Sequence, residues 1–454
     1  MISPRLIIYF LAFSIPLQIY LNIGSLPIST AYLLIVIAAL LFLVTRSLSG
    51  NWKLYFPKEL LPIGIFVLVI IFSFINANDL GASLILGVQI AAYVILFFVS
   101  INVLNTQQHV YKVIYFLLIG TIISAIIGIS QVWIGTKSPQ TIVNLFFRSP
   151  FANLFLGSRN LLRLGDFGLQ GPDILYRGNS LEGIGNLFRA FGLFEGPTIY
   201  GWFSATVAVF AIGFWFVKVN SAHELRRIAG LGAILGSAAV LLSWTRSAWL
   251  ALIVGASFIL VFRQAKMINR LTKRWILLTT FLIFALGTII LTGYLFPTSI
   301  FGRMVLSAIG GPEAVGSNNM RLTTARFALN YLLSHPVVGV GFGNYSYLVS
   351  GTTAATALTA HNTFLELGVE LGLPGLILFV WLLIVAFSGS NFLIRQPVGS
   401  LWHALGISLF GVWISYIVIL MFGGNIIHPK WMTCWWLLLG LQVAARRVIT
   451  RFNE

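Results

Sequence analysis

Residues 360–387 read AHNTFLELGVELGLPGLILFVWLLIVAF. Three ionisable side chains, His361, Glu366 and Glu370, stand just ahead of a run that carries no further charge until Arg395. As one helix, 361–388 would extend about 42 Å at 1.5 Å per residue. A hydrocarbon core of ~30 Å needs less than that. The first turns therefore belong to a membrane interface and the rest to the bilayer, with Pro374 interrupting the run.

The same apolar signature recurs along the chain. Spans are expected at about 5–22, 31–45, 61–75, 84–102, 112–134, 198–217, 228–243, 247–262, 275–296, 361–388, 402–421 and 431–445. The chain of 454 residues is 58% hydrophobic and only 9% charged, against roughly 25% charged in soluble domains. This composition excludes a soluble core. The fold class is an all-α polytopic membrane protein with about 12 transmembrane helices, forming one membrane domain over 1–454. The first stretch, LIIYFLAFSIPLQIYLNIG, lacks an Ala-x-Ala-like cleavage site and reads as a retained helix. The single cysteine, Cys434, lies in an apolar run, so no intrachain disulfide or cysteine-based metal site is available.

The net charge of +17 reflects membrane orientation and not nucleic-acid binding, because short loops rich in Lys and Arg face the cytoplasm. With both termini inside, seventeen of the 28 lysines and arginines fall on the cytoplasmic side, among them Arg46, Lys53, Arg226, Arg227, Arg446 and Arg451. Two long outer loops result, 135–197 and 297–360. Within the second, MRLTTARFALNYLLSHP (320–336) has helical spacing of apolar residues and is expected to lie as a helix on the outer surface.

The chemistry-bearing residues collect on that outer side. Thr363 and Glu366 are spaced as a capping box, in which the hydroxyl accepts from the backbone of Glu366 and the carboxylate reaches back. Glu370, one turn on, would pair with an arginine or face a polar cavity. His361 precedes the cap, where the partial positive charge of a helix N-terminus disfavours imidazolium and keeps the ring able to accept a proton. Three arginines share its side: Arg189, Arg246 at the tip of a short hairpin, and Arg321 ahead of the surface helix. Arginine near hydrocarbon is costly and is normally matched to an anion. Several guanidinium groups beside one histidine suit a membrane-borne phosphate, which they bind bidentately. His335 and His428 read as helix-boundary packing, although His428 and Lys430 could also reach such a phosphate or diphosphate. The chain has no glycine-rich nucleotide loop and no Gly-x-Ser-x-Gly. It also lacks an Asp-x-Asp pair and His-x-x-x-His spacing, so no metal site is expected and the arginines would supply the electrostatics.

The stretches RAFGLFEGPTIYGWF, SWTRSAWLAL, SNNMRLTTARFALNYLLSHPVVGVGFGNY and AHNTFLELGVELGLPG occur in the order and spacing of the O-antigen ligase and O-antigen polymerase family, which the chain resembles over about 185–385. These are bacterial membrane glycosyltransferases. The resemblance implies a glycosyltransferase-C-like helical arrangement in the inner membrane with a periplasmic site. It implies an undecaprenyl (polyprenyl) diphosphate-linked glycan donor, a glycan or lipid A–core acceptor, and neither metal nor cofactor. Carried over by position, His361 is the catalytic histidine, while Arg246 and Arg321 hold the diphosphate. Arg189 matches an Arg-x-x-Gly-x-Phe pattern that family members often continue with Pro-Asn; here Pro197 is followed by Thr198. Ligase and polymerase differ only in acceptor and both stay open, with a lean to ligase. The competing class is a small-anion, bicarbonate-like transporter. Against it, the polar residues gather at one face and no internal repeat is visible.

Overall fold

Helix after helix begins where a short polar side chain can satisfy its first amides. Ser3 accepts from Arg5 at the start of α1 (Pro4–Ser14), Ser29 from Ala31 at α2 (Thr30–Ser49), Asp79 from Ala82 at α4 (Leu80–Val103), and Thr106 from His109 at α5 (Gln107–Lys137). These are the N-cap interactions that helix termini require. Between α2 and α4 lies α3 (Leu60–Ser73). α6 (Pro197–Phe216) starts with Pro at its first position, where the missing N–H costs nothing. Then come α7 (His223–Leu242), α8 (Arg246–Phe262), α9 (Pro312–Ser334), the short α10 (Tyr345–Val349), α11 (Thr363–Ile394), α12 (Leu401–Met421) and α13 (Pro429–Phe452). The computed structural model describes residues 3–138 except 19, 24 and 25, together with 141, 176–177, 187–217, 223–262, 312–349, 360–423 and 428–452. The span expected at 275–296 and most of the loop 135–197 lie outside these residues.

Among the described residues, seven helices are long and apolar enough to cross a membrane: α2, α4, α5, α6, α7, α11 and α12. Three shorter apolar helices cover Pro4–Leu17, Leu60–Asn76 and Arg246–Val261. The expected count of twelve is thus not reached on length and composition, although eleven of the twelve expected positions fall on described helices. The first expected span is too long. Helix α1 ends at Ser14, a 3-10 turn around Pro16 follows, and the chain then forms a two-stranded antiparallel ladder, β1 (Tyr20–Ile23) with β2 (Leu26–Ser29). Pro16 has no N–H to continue the helix, and the Ser29 hydroxyl donates to Gln18 at 2.9 Å across the ladder. A second small ladder pairs β3 (Tyr176–Arg177) with β4 (Leu187–Phe188). The class is helical but not purely so.

α6 forms the centre, buried along nearly all of its length and packed on α7, α8 and α12. An all-apolar helix is placed where every face has a partner. Gly213 permits close approach, since a Cβ there would collide with Ser408 of α12. One apolar core runs from Ile8 to Ile449. A smaller second cluster of Ala328, Val340, Tyr345, Val349, Ala360 and Val369 fixes α9 over the start of α11.

α11 is two helices end to end. Gly372 is non-helical, with φ 69° and ψ −173°, two residues ahead of Pro374, the residue that reads as the interruption in the sequence. The carbonyls freed by the break are taken by an incoming strand-like segment: Val340 donates to Val369 (3.0 Å) and Gly341 to Glu370 (3.1 Å). Leu373, past the break, donates back to Pro336 (2.7 Å). The broken turn is therefore satisfied without water, as the bilayer demands.

Candidate functional site

The residues flagged by the sequence gather at one end of the bundle. The turn between α7 and α8 holds Trp244 in a left-handed conformation (φ 53°), so that Thr245, Arg246 and Ser247 project from it. Arg189, in the loop after β4, donates through Nε to the Ser243 carbonyl at 3.0 Å and through Nη2 to Thr245 Oγ1 at 3.4 Å. Ser247 accepts from Trp202 Nε1 at 2.9 Å. Arg189 thus buttresses the turn that carries Arg246.

Arg321 lies inside α9, not ahead of a surface helix as its flanking sequence suggests. The second apolar cluster and Leu332, seated on Gly368, hold α9 against α11. Burial and then the charge of Arg246 lower the pKa of Arg321, yet a guanidinium stays charged at any working pH. Burial and then the charge of Arg321 hold the His361 imidazole below the usual histidine range, so the ring is neutral near pH 7. Arg246, Arg321 and His361 therefore share one electrostatic environment.

Like Trp244, His361 is a non-glycine residue with positive φ (51°). Such backbone costs roughly 1–3 kcal/mol and persists only where its surroundings impose it. Here the imposition comes from both sides. Asn362, one residue after, caps α11 by accepting from Phe364 (3.0 Å) and Leu365 (3.2 Å). Ala360, one residue before, donates to Glu366 at 3.3 Å. The expected capping box is displaced by one residue: Asn362, not Thr363, is the cap, because its shorter reach to the second and third amides fits the extended backbone there (φ −151°). Glu366 still bends back over the helix start, but to Ala360. Glu370 is buried and, among the described residues, has no arginine in a salt bridge with it; it accepts from the Tyr345 amide at 3.1 Å and from Gly343, tying the 336–345 segment to α11.

Opposite His361, the backbone of Gly423 passes so closely that a Cβ there would stand 3.7 Å from Trp202 and 3.8 Å from His361 Nδ1. The loop 189–195 closes this side. Gln131 of α5 accepts from Phe191 (3.2 Å) and Gly192 (2.8 Å) and donates to the Gly192 carbonyl at 2.6 Å. His428 Nε2 donates to Glu195 at 2.8 Å, and Lys430 lies 3.6 Å from the same carboxylate while donating to the Leu193 carbonyl. Lys430 is wholly buried. Its ammonium is engaged by the protein's own loop, which leaves the diphosphate-binding part expected of it without geometric support. His335 stacks on Tyr331 at the end of α9, a local packing role.

Residues 231–380 match the sequence family described as O-antigen ligase. Over this third of its length the chain is similar to the O-antigen ligase family. The ligase segment contains Arg246, Arg321 and His361, and stops short of Arg189, Glu195, His428 and Lys430. It lends no support to the transport reading. No curated protein matches the chain. The sequence did not flag Glu195, Gln131, Trp202 or Gly423 as site-forming. Glu195 precedes Gly-Pro at the mouth of α6, and a lone acid at a helix entrance on the outer side was the available signal.

Proposed function

We propose that this protein is an O-antigen ligase-like glycosyltransferase that moves a glycan from a polyprenyl diphosphate to a sugar hydroxyl at the periplasmic face of the inner membrane. The observation that carries the reading is one of placement: the Gly423 backbone lies between His361 and Trp202, Trp202 donates to Ser247 beside Arg246, and the charge of Arg246 acts on Arg321 as that of Arg321 acts on His361, with all three residues within the matched segment. In this reaction the acceptor oxygen attacks the anomeric carbon as the bond from that carbon to the diphosphate oxygen breaks. The hydroxyl proton goes to His361, and the electron pair leaves with the diphosphate, whose growing charge Arg246 and Arg321 neutralise. Metal-free electrostatic stabilisation of this kind is worth about 10²–10³ in rate per donor. Arg189 acts behind them, holding the Arg246 turn. Ligase is preferred to polymerase on the described match, with the acceptor a lipid A–core sugar.

The test is transfer by the full-length protein in lipid nanodiscs, with a polyprenyl-diphosphate glycan and a core-oligosaccharide acceptor read out on a gel. His361→Ala should insert, fold and bind donor while losing about 10²–10⁴-fold in rate, the usual worth of a general base. Transfer at the wild-type rate by that variant would remove the histidine from the mechanism.

A further inference from the structure

The opposite end of the bundle carries a cation cluster that the transferase reading does not use. α13 ends with Arg447 and Arg451 four residues apart and so on one face. Arg447 is buried to 5% exposure, donates through Nη1 to the Ile101 carbonyl at 2.8 Å, and lies with its guanidinium 4.7 Å over the Tyr55 ring. Its Nε is buried and has no hydrogen-bond partner among the described residues. Arg46, in the last turn of α2, borders the same 51–55 segment, donating to the Asn51 carbonyl at 3.1 Å, and the charges of Arg46 and Arg451 both act on Arg447. Glu59 is the nearby acid, and Arg446 occupies it at 2.8 Å. Three guanidinium groups thus converge, one of them deeply buried, with no carboxylate among the described residues paired to them by a salt bridge.

The surroundings are those of a lipid. α2 exposes Leu40, Leu43 and Val44 in the turns before Arg46 and Leu48 just past it, and Trp52 and Phe56 are exposed in the segment that follows. An apolar helix face, aromatic side chains at its end and arginines just beyond reproduce the order of acyl chain, interface and headgroup. We infer that the cleft between the ends of α2 and α13 binds the phosphodiester headgroup of an anionic phospholipid, with Arg46, Arg447 and Arg451 on the phosphate and an acyl chain along α2. Guanidinium groups suit the planar, bidentate geometry of phosphate oxygens, and basic recesses between helices at a membrane surface are known to hold anionic headgroups. The inference is independent of the transferase reading, since the site lies at the other end of the fold.

The test uses the full-length protein in nanodiscs of phosphatidylcholine with a minor share of phosphatidylglycerol, counting retained phosphatidylglycerol by native mass spectrometry after mild delipidation. Wild-type protein should retain it selectively over phosphatidylcholine. Arg451→Gln and Arg46→Gln, both at the rim and outside the buried core, should each lower retention about fivefold, the effect of one cation near an anionic surface. Arg447→Gln should lower it at least as much, and Arg227→Gln, a cation on α7, should leave it unchanged. Equal retention in the Arg46 and Arg451 variants would overturn the proposal, as would an equal loss in Arg227→Gln, which would mark a diffuse surface charge. A final arm adds millimolar inorganic phosphate to pure phosphatidylcholine discs. If it raises the melting temperature as far as phosphatidylglycerol does, the site is one for a soluble anion and the lipid assignment fails.

Discussion

His361 sits under two constraints that act on different properties of the same residue. Its backbone is held left-handed by the Asn362 cap on one side and the Ala360–Glu366 bond on the other. Its ring is kept neutral by burial and by Arg321. The sign of the pH dependence follows. A histidine with a lowered pKa is a competent base above that value, so the transfer rate should stay level down through the ordinary histidine range near 6.5 and fall only below it. Arg321→Gln removes the lesser of the two causes, so the acidic limb of its rate profile should move to higher pH as the residual rate drops. A pH–rate profile of the two proteins checks this, and an unmoved limb would separate Arg321 from His361. Glu366 reaches His361 through the backbone of Ala360. Glu366→Gln retains an oxygen for the Ala360 amide and should keep most of the activity, whereas Glu366→Ala should lower kcat while leaving donor affinity near wild type. His361 and the arginines were legible because polar side chains beside long apolar runs are conspicuous. The cap was misplaced by one residue because Asn362 and Thr363 are both good capping residues, and only backbone angles choose between them.

At the scale of the element, α11 is organised by its break. Gly372 adopts φ 69°, and a Cβ there would stand 2.5 Å from the Val337 carbonyl oxygen. Gly339, on the facing segment, lies against the Glu370 carbonyl with no room for a side chain. Gly372→Ala should therefore destabilise by about 1–3 kcal/mol through backbone strain alone, measured as a drop in thermal midpoint in detergent. Because the segment 336–345 is laced to the break, activity should fall with it. The run of apolar residues made this helix easy to find, and Pro374 drew attention to an interruption. The residue that takes the strain, however, is the glycine two positions earlier, since proline tolerates a helix start and glycine tolerates the angles of a helix end. The ladder at 20–29 was invisible for a related reason: four-residue strands in an apolar stretch carry no period that distinguishes them from helix.

At the scale of the molecule, contacts sort cleanly to two ends. Glu59, Ile101, Arg446 and Arg447 meet at one, and Asp79, Ser243, Asn344 and Glu195 belong to the contacts of the other. From the distribution of lysine and arginine, the first end is expected in the cytoplasm. Cys434 is fully buried, so single cysteines can report sidedness without removing it. Asn51→Cys should react with a membrane-impermeant maleimide only after the cytoplasmic side is opened, and Lys137→Cys should react in intact spheroplasts. The reverse pattern would invert the whole molecule and move the site with it. The division into two ends follows from the contacts, while the sidedness rests on loop charge alone. The tie between Glu195 and the start of α13 was not legible in the sequence, because its partners stand 233 residues apart and nothing in either neighbourhood announces the other.

That tie bears on how the protein is made. The loop behind Arg189 emerges from the ribosome long before His428 and Lys430, and until α13 enters the membrane the Glu195 carboxylate cannot make either of those two contacts. A nascent chain therefore reaches the bilayer with its guanidinium groups in place but the wall of the cleft still loose. A transferase built this way would become competent only once that helix is inserted, which leaves chains cut short before it inert.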